Sequence, residues 1–283
     1  MKNNQLIINC PIGCQSTLYE TNIVLPTGNL LKCSNCGHIV SSCTHDDYEQ
    51  SLQKWNSSEG TFPGKKDYDR YQQVITKRLL HAKKLIQQKN LPKLLDVGCS
   101  SGALLSIAKN CGFEVFGVEP ASDPAKTSQS KGFNVFHGFL REAHYPDYSF
   151  DVIVLFEIIE HVITPLQLIK ECERILSPGG IILINTPNAS SYTARFMKGR
   201  WEGFDLYKMG GHVSFFTPGS LSVMANKSGL KIKRIETRNI RFYENGQVTK
   251  LFYKSAKIMA QLLAYPVKMI NQGHDLLCYL SKN

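Results

Sequence analysis

The run Leu94-Leu95-Asp96-Val97-Gly98-Cys99-Ser100-Ser101-Gly102-Ala103-Leu104-Leu105 is the part of this chain best suited to chemistry. An apolar stretch ends in an acid, turns through glycines, and resumes as an apolar stretch of helical type. Glycine lets backbone amides approach a ligand closely, and open α/β sheets bind ligands beyond the carboxyl ends of their strands. A second apolar stretch begins at Glu114 and ends in Glu119. An acid about 20 residues beyond a glycine turn is where a ribose is held by its hydroxyls. The cysteines form a second set, Cys10-x3-Cys14 and Cys33-x2-Cys36. Two such pairs joined by a hairpin make a zinc ribbon, in which four thiolates close a segment too short to build its own core. The first pair is wider than the usual spacing. His38, Cys43 and His45 could substitute as ligands, and free cysteines on a small hairpin are the plainer alternative. Four protein ligands leave no open position, so this Zn2+ would be structural.

The elements that must position these residues follow from periodicity. Residues 1–45 read as a zinc-binding β module with a turn at Pro26-Thr27-Gly28-Asn29. Residues 46–90 read as a linker, polar over 46–66 with Ser57-Ser58-Glu59-Gly60 and Pro63-Gly64, followed by a covering helix from Tyr68 to Gln88. Residues 91–240 alternate strand and helix, as in a doubly wound sheet. The predicted strands are 93–97, 114–118, 134–137, 151–156, 180–185, 230–237 and 241–243, with a helix from Pro165 to Leu176. Residues 241–283 read as a basic helical tail.

Four blocks, residues 94–105, 115–120, 150–162 and 176–188, occur in the order found in class I S-adenosylmethionine-dependent methyltransferases, and the chain resembles that family. The resemblance spans roughly Lys93 to Leu221. It implies an α/β Rossmann-like methyltransferase fold: a doubly wound, mostly parallel seven-stranded sheet, here with the small N-terminal zinc-binding module added. It implies S-adenosylmethionine as cofactor. Asp96, Gly98 and Gly102 would form the cradle, with the Cys99 backbone facing the methionine part. Glu119, followed by Pro120, would hold the ribose. Phe139 and Leu140 would lie at the adenine, and Phe156 and Glu157 beside the sulfonium. Packing roles are the plainer reading of Phe139 and Phe156. Tyr68, Arg70 or Tyr71 on the covering helix could reach the methionine carboxylate, or that helix could simply pack. One departure stands out. The commonest family form has glycine where this chain has Ser100.

Two further constellations follow. In ubiquinone-type O-methyltransferases a sequence similar to Glu157-Ile-Ile-Glu160-His161 can hold a divalent metal, whereas in many relatives the same pair only orients a loop. The segment Gly210-Gly211-His212-Val213-Ser214-Phe215-Phe216-Thr217-Pro218 resembles small-metabolite and sugar-tailoring methyltransferases. His212 would then sit on a loop over the pocket and remove a proton from an acceptor hydroxyl, or fix the loop by hydrogen bonding. Residues 188–209 carry Tyr192, Arg195, Arg200, Trp201, Phe204 and Tyr207, a set suited to a planar or sugar-phosphate acceptor or to a lid.

Composition bounds the alternatives. With 283 residues, 42% of them apolar, there is one full domain plus something small. No signal-like segment opens the sequence and no apolar run is long enough to span a bilayer, which points to a cytoplasmic protein whose nine cysteines are reduced. Gly98-Cys-Ser-Ser-Gly102 is not the Gly-x-Gly-x-x-Gly of a nicotinamide site. The leading expectation is methyl transfer to a small-molecule acceptor, with a hydroxyl on a sugar or related metabolite as target. Nucleotide-sugar C-methylation is a neighbouring alternative. Net charge +10 and a zinc module invite nucleic acid, but Phe156-Glu157 stands where base-methylating enzymes carry Asn-Pro-Pro-Tyr, which speaks against it. A non-catalytic scaffold is opposed by the intact Asp96, Gly98, Gly102 and Glu119. From Lys227 to Asn283 eleven basic residues face three acids, a balance of +8. That tail could lie on an anionic membrane, on the core or on a second subunit; Pro266 and the spacing of Lys250, Lys254 and Lys257 favour packing.

Overall fold

Side chains along the central strands point alternately to two faces, and each face is closed by its own helices. The computed structural model describes residues 4–56, 65–87, 89–244 and 246–282. The N-terminal part contains β1 (Leu18–Leu25), β2 (Gly28–Cys33) and β3 (Ile39–Val40), then α1 (His45–Asn56) and α2 (Lys65–Leu85). The alternating part follows with β4 (Lys93–Val97), α3 (Ala103–Asn110), β5 (Glu114–Glu119), α4 (Ser122–Ser130), β6 (Asn134–His137), β7 (Phe150–Phe156), α5 (Pro165–Ile175) and β8 (Leu176–Pro187). The chain continues through α6 (Tyr192–Met197), β9 (Ser214–Phe215), α7 (Pro218–Lys227), β10 (Leu230–Arg238), α8 (Lys250–Met269) and β11 (Asp275–Lys282).

The main sheet has seven strands in the order β10-β11-β8-β7-β4-β5-β6. Strands β8, β7, β4, β5 and β6 run parallel, and β11 is antiparallel to both neighbours. This is the doubly wound, mostly parallel α/β sheet expected. On one face Leu94, Val152, Val154 and Leu183 meet Ile75 and Leu79 of α2 and Leu104 and Ile107 of α3. On the other face Leu95, Ile153, Leu155 and Ile184 meet Ile169 of α5 and Leu221 and Met224 of α7. Strand β7 is buried along almost its whole length, as a central parallel strand must be.

Three sequence expectations require correction. The strand expected at 241–243 is absent from the sheet; Arg241 instead donates its backbone N–H to the Thr193 hydroxyl. The seventh strand is β11, so the C-terminal part is not only a helical tail. Its run Leu276-Leu277-Cys278-Tyr279-Leu280 is buried on both faces, which favours a central strand over an amphipathic helix. The polar stretch read as linker contains α1, capped by Thr44 and Asp47; Ser57-Ser58-Glu59-Gly60 and Pro63-Gly64 lie outside the described residues, as does Gln88 at the end of the covering helix.

The second sheet has the order β1-β2-β3-β9. Its first three strands come from the cysteine-bearing segment. Its fourth comes from residues 214–215, far along the chain, through the pairs Ile39↔Phe215 and Val40↔Ser214. The N-terminal module and the catalytic-type domain therefore share one sheet.

Candidate functional site

The cradle forms where β4 and β5 end side by side, with Asp96 opposite Gly117. Gly98 N–H and Cys99 N–H both donate to the Val118 carbonyl, at 2.8 and 3.1 Å, which folds the turn back over the neighbouring strand. Gly98 has φ +78° and a Cβ there would collide with the Ile158 side chain, so glycine is required twice over. Gly102 starts α3 at φ +82°. Between them Ser100 is held at φ +47°, the left-handed region that glycine tolerates and serine does not favour. The departure at this position is therefore paid for in backbone strain.

Glu119 is fixed from two sides. Ser100 N–H donates to Oε2 at 2.8 Å and Ala121 N–H donates to Oε1 at 2.9 Å. Burial raises its carboxyl pKa, and these two amides oppose that rise. Each oxygen keeps acceptor capacity for a diol. Asp96 is 4% exposed, and burial, with the Glu119 charge second, pushes its pKa up to about 8. A cation placed here would restore its ionised form. The Cys99 side chain turns inward against Leu105, Ala125 and Val135, leaving its backbone on the cradle side. Pro120 is exposed and its carbonyl meets His137 Nε2 at 3.2 Å. Phe139 is 65% exposed at the end of β6, while Leu140 is buried in the core.

Beyond β7, Phe156 is half-buried and the Arg78 guanidinium lies 5.3 Å from its ring centre. Glu157 adopts φ +55°, its N–H donates to the Asn185 carbonyl at 2.8 Å, and its carboxylate accepts from the Asn185 amide. A non-glycine residue in this conformation at a strand end marks a position the surrounding structure enforces. Arg78 and Asn185, which contact Phe156 and Glu157, are candidates that the sequence reading does not single out. Asn185 had a visible signal, since it is the polar residue ending an apolar strand run. Of the covering helix, Tyr71 lies close enough to Asp96 for that charge to add to burial in raising its phenol, and Arg70 is exposed.

His212 is not on an open loop. It is 2% exposed, its Nδ1 is 3.0 Å from the Gly203 carbonyl, and its Nε2 is 3.9 Å from Glu160 Oε1. A carbonyl only accepts, so Nδ1 carries the proton and Nε2 presents its lone pair. Burial lowers the His212 pKa to about 4. His161 packs edge-on against it with ring centres 4.6 Å apart, and burial, then the His212 charge, lowers its pKa to about 3. Glu160 accepts from the Thr186 hydroxyl at 3.0 Å through Oε2, and burial raises its pKa well above the usual range. Glu160, His161 and His212 bring their ligating atoms within 4.8 Å of one another, a set that could hold a divalent cation. Glu157, the other acid of that motif, is not in this set. The helix α1 closes the group from above: Tyr48 donates its hydroxyl to the His161 carbonyl at 2.8 Å, and Gly211 sits against Leu52 and Tyr48.

The four cysteines converge. The Sγ atoms of Cys10, Cys14, Cys33 and Cys36 all lie within 4.8 Å of one another, and none of the nine cysteines is in a disulfide. Burial disfavours a thiolate at Cys33, yet the N–H groups of Cys36 and Asn35 and the Ser16 hydroxyl bring its pKa down to about 6. Donors aimed at sulfur are what a metal-bound thiolate needs. Of the alternative ligands, His38 is enclosed against Phe216 with ring centres 4.7 Å apart and is outside the four-sulfur group, as are Cys43 and His45.

Comparison with known proteins bears on the family and the fold. The family described as "Methyltransferase domain" matches residues 67–235, more than half of the chain. A Mycolicibacterium smegmatis protein named "Probable S-adenosylmethionine-dependent methyltransferase" is 30% identical over 144 residues, 48% of this chain and 53% of that protein. The chain thus spans about half the length of that relative. The ubiquinone biosynthesis O-methyltransferase of Nitrosococcus oceani is 26% identical over 233 residues, covering 78% of this chain and 93% of the relative. Among solved structures, an S-adenosylmethionine-dependent methyltransferase from Archaeoglobus fulgidus superposes with a TM-score of 0.53 at 20% identity, covering 75% of this chain and 94% of that one. That last likeness concerns the fold.

Proposed function

Because the chain belongs to the methyltransferase-domain family, we propose that it binds S-adenosylmethionine and transfers the methyl group to an oxygen of a small-molecule acceptor, a hydroxyl on a sugar or related metabolite. The observation that carries this reading is the cradle: Asp96, the Gly98–Gly102 turn, and a Glu119 carboxylate already oriented by the amides of Ser100 and Ala121. When bound, the cofactor supplies a methyl group activated by a sulfonium. The protein then has to orient the acceptor and receive its proton.

For the proton we assign His212. The Gly203 carbonyl fixes the tautomer, so Nε2 is the free base, and burial keeps the ring neutral at physiological pH. Glu160, its carboxyl pushed toward the neutral form by burial, stands 3.9 Å from Nε2. The four-cysteine cluster is read as a structural Zn2+ site, which fits the converging sulfurs and the amide donors around Cys33. Its role would be to hold the second sheet and, through β9, the segment beside His212.

The test supplies the donor with a labelled methyl group and follows the label into separate pools. Incorporation into small hydroxylated metabolites, sugars above all, is the expected result. Labelling of RNA or DNA with none in small molecules would overturn the acceptor assignment while leaving the cofactor site standing.

A further inference from the structure

Helix α8 presents three different faces. The inner one is small and apolar: Ala260 and Val267 are buried with Ile240, and Leu263 and Phe242 pack alongside. These contacts attach the helix to the body of the protein. The outer face is also apolar, and among the described residues nothing covers it. Leu251, Ile258, Leu262 and Met269 recur at intervals of seven, four and seven residues, so they stack on one side of the helix. They are 78%, 60%, 70% and 66% exposed, and Tyr265 beside them is 72% exposed. Single exposed apolar residues are ordinary; a contiguous stripe along 20 residues marks an interaction surface.

The third face identifies the occupant. Lys250, Lys254, Lys257 and Lys268 share a flank of the helix next to the apolar stripe, and no acid occurs anywhere from Lys250 to His274. We propose that the outer face of α8 docks on an anionic lipid bilayer, with the stripe in the acyl boundary and the lysines among the headgroups. Lysine side chains reach from an apolar contact to a charged headgroup layer, which is the arrangement of helices that lie in a membrane surface. Among the described residues no helix is long and apolar enough to cross a membrane, so α8 would lie on the bilayer. A second copy of the chain is the weaker occupant, because apposing two such faces brings like-charged lysine rows together.

The experiment co-sediments the full chain with vesicles of equal parts phosphatidylcholine and phosphatidylglycerol, and with vesicles of phosphatidylcholine alone. Binding to the anionic vesicles, weakened by added salt, is expected, with little binding to the neutral ones. Ile258→Glu with Leu262→Glu should remove most of it. Lys254→Ala and Lys257→Ala should each reduce it roughly fivefold. All four side chains are exposed, so an unchanged melting curve is expected for each variant. Failure of the wild-type chain to bind anionic vesicles at low salt would overturn the proposal without any variant. So would unaltered binding by the double glutamate variant. Sedimentation showing a dimer that the same variant abolishes would assign the face to a second copy instead.

Discussion

The backbone N–H of Ser41 donates to the Val213 carbonyl at 3.0 Å, tying the segment after the cysteine cluster to the residue next to His212. Val213 N–H in turn donates to the Glu160 carbonyl at 2.9 Å. The His212 segment is thus clamped between the second sheet and the turn after β7. On the reading of the cysteine cluster as a zinc site, disrupting it should therefore affect turnover as well as stability. The double variant Cys33→Ser, Cys36→Ser should bind no zinc and melt lower, on the order of 10 °C, given about 2–4 °C per kcal/mol for a protein of this size. Its turnover should fall more than its cofactor affinity. Metal analysis of the wild-type protein finding well under one zinc per chain would contradict this, as would an unaltered melting point.

Ser100 provides a stability test at the cradle. Its left-handed backbone costs about 1–2 kcal/mol for a side chain with a Cβ, partly balanced by the entropy that glycine loses on folding. Ser100→Gly keeps the N–H that donates to Glu119. It should raise stability by about 0.5–1 kcal/mol in denaturant unfolding and leave cofactor affinity within a few-fold of wild type. A loss of stability would mean that the serine hydroxyl has a role not visible in its contacts.

Glu119→Ala removes the acceptors expected to meet the ribose hydroxyls. Charge-assisted bonds contribute about 1.5–3 kcal/mol each, so affinity for the cofactor should drop at least tenfold in calorimetry. The Ser100 and Ala121 amides would also lose their acceptor. The same affinity in the variant would remove Glu119 from the site.

Much of this cradle was legible because it is local. Asp96, Gly98, Gly102 and Glu119 lie within one strand-turn-helix-strand unit, and the spacing of the cysteine pairs already implied their meeting. The non-local parts were not legible. Strand β11 lies between β10 and β8 although the sequence separates it from β8 by almost ninety residues, and its apolar run was merged with α8. The Glu160–His212 pair joins two turns 52 residues apart, so no local period could reveal it. Helix α1 was read as linker because its composition is polar; its place is decided by Tyr48 and Leu52 packing over the Gly210-Gly211 turn.

Asp96 makes cofactor binding depend on pH. Its pKa in the folded protein is raised to about 8 by burial, against 3.8 for an ordinary aspartate. Between those values the unfolded chain is ionised and the folded one is protonated. The group therefore lowers stability as pH rises, by up to about 1.4 kcal/mol per pH unit, until about pH 8. A bound cation favours the ionised form, so affinity for the cofactor should improve as pH rises from 6 toward about 8. Asp96→Asn should remove this contribution to both trends. Calorimetry showing the same pH slope in the variant would rule Asp96 out as their source.

His212 makes the opposite kind of prediction. Burial holds its folded pKa near 4, below the ordinary 6.5, so in that window the unfolded chain binds the extra proton. Its contribution to stability is complete above about pH 6.5 and is lost as pH falls toward 4, a direction shared by His38, His161 and His274. An ordinary histidine base would bend the rate profile near pH 6.5. A buried His212 stays neutral well below that, so turnover at saturating cofactor should run flat from about pH 5.5 to 7.5. His212→Ala should reduce turnover about 10²–10⁴-fold, the usual worth of a general base, and change cofactor affinity little. Glu160→Gln separates base from scaffold: it keeps the Thr186 hydrogen-bond acceptor and mimics the neutral carboxyl that burial favours. It should leave turnover within a few-fold of the wild type and the melting point near it, so that the loss in His212→Ala reports the base itself. Near-normal turnover in His212→Ala across this range would reassign His212 as a structural residue that holds Gly203 and the turn beside it.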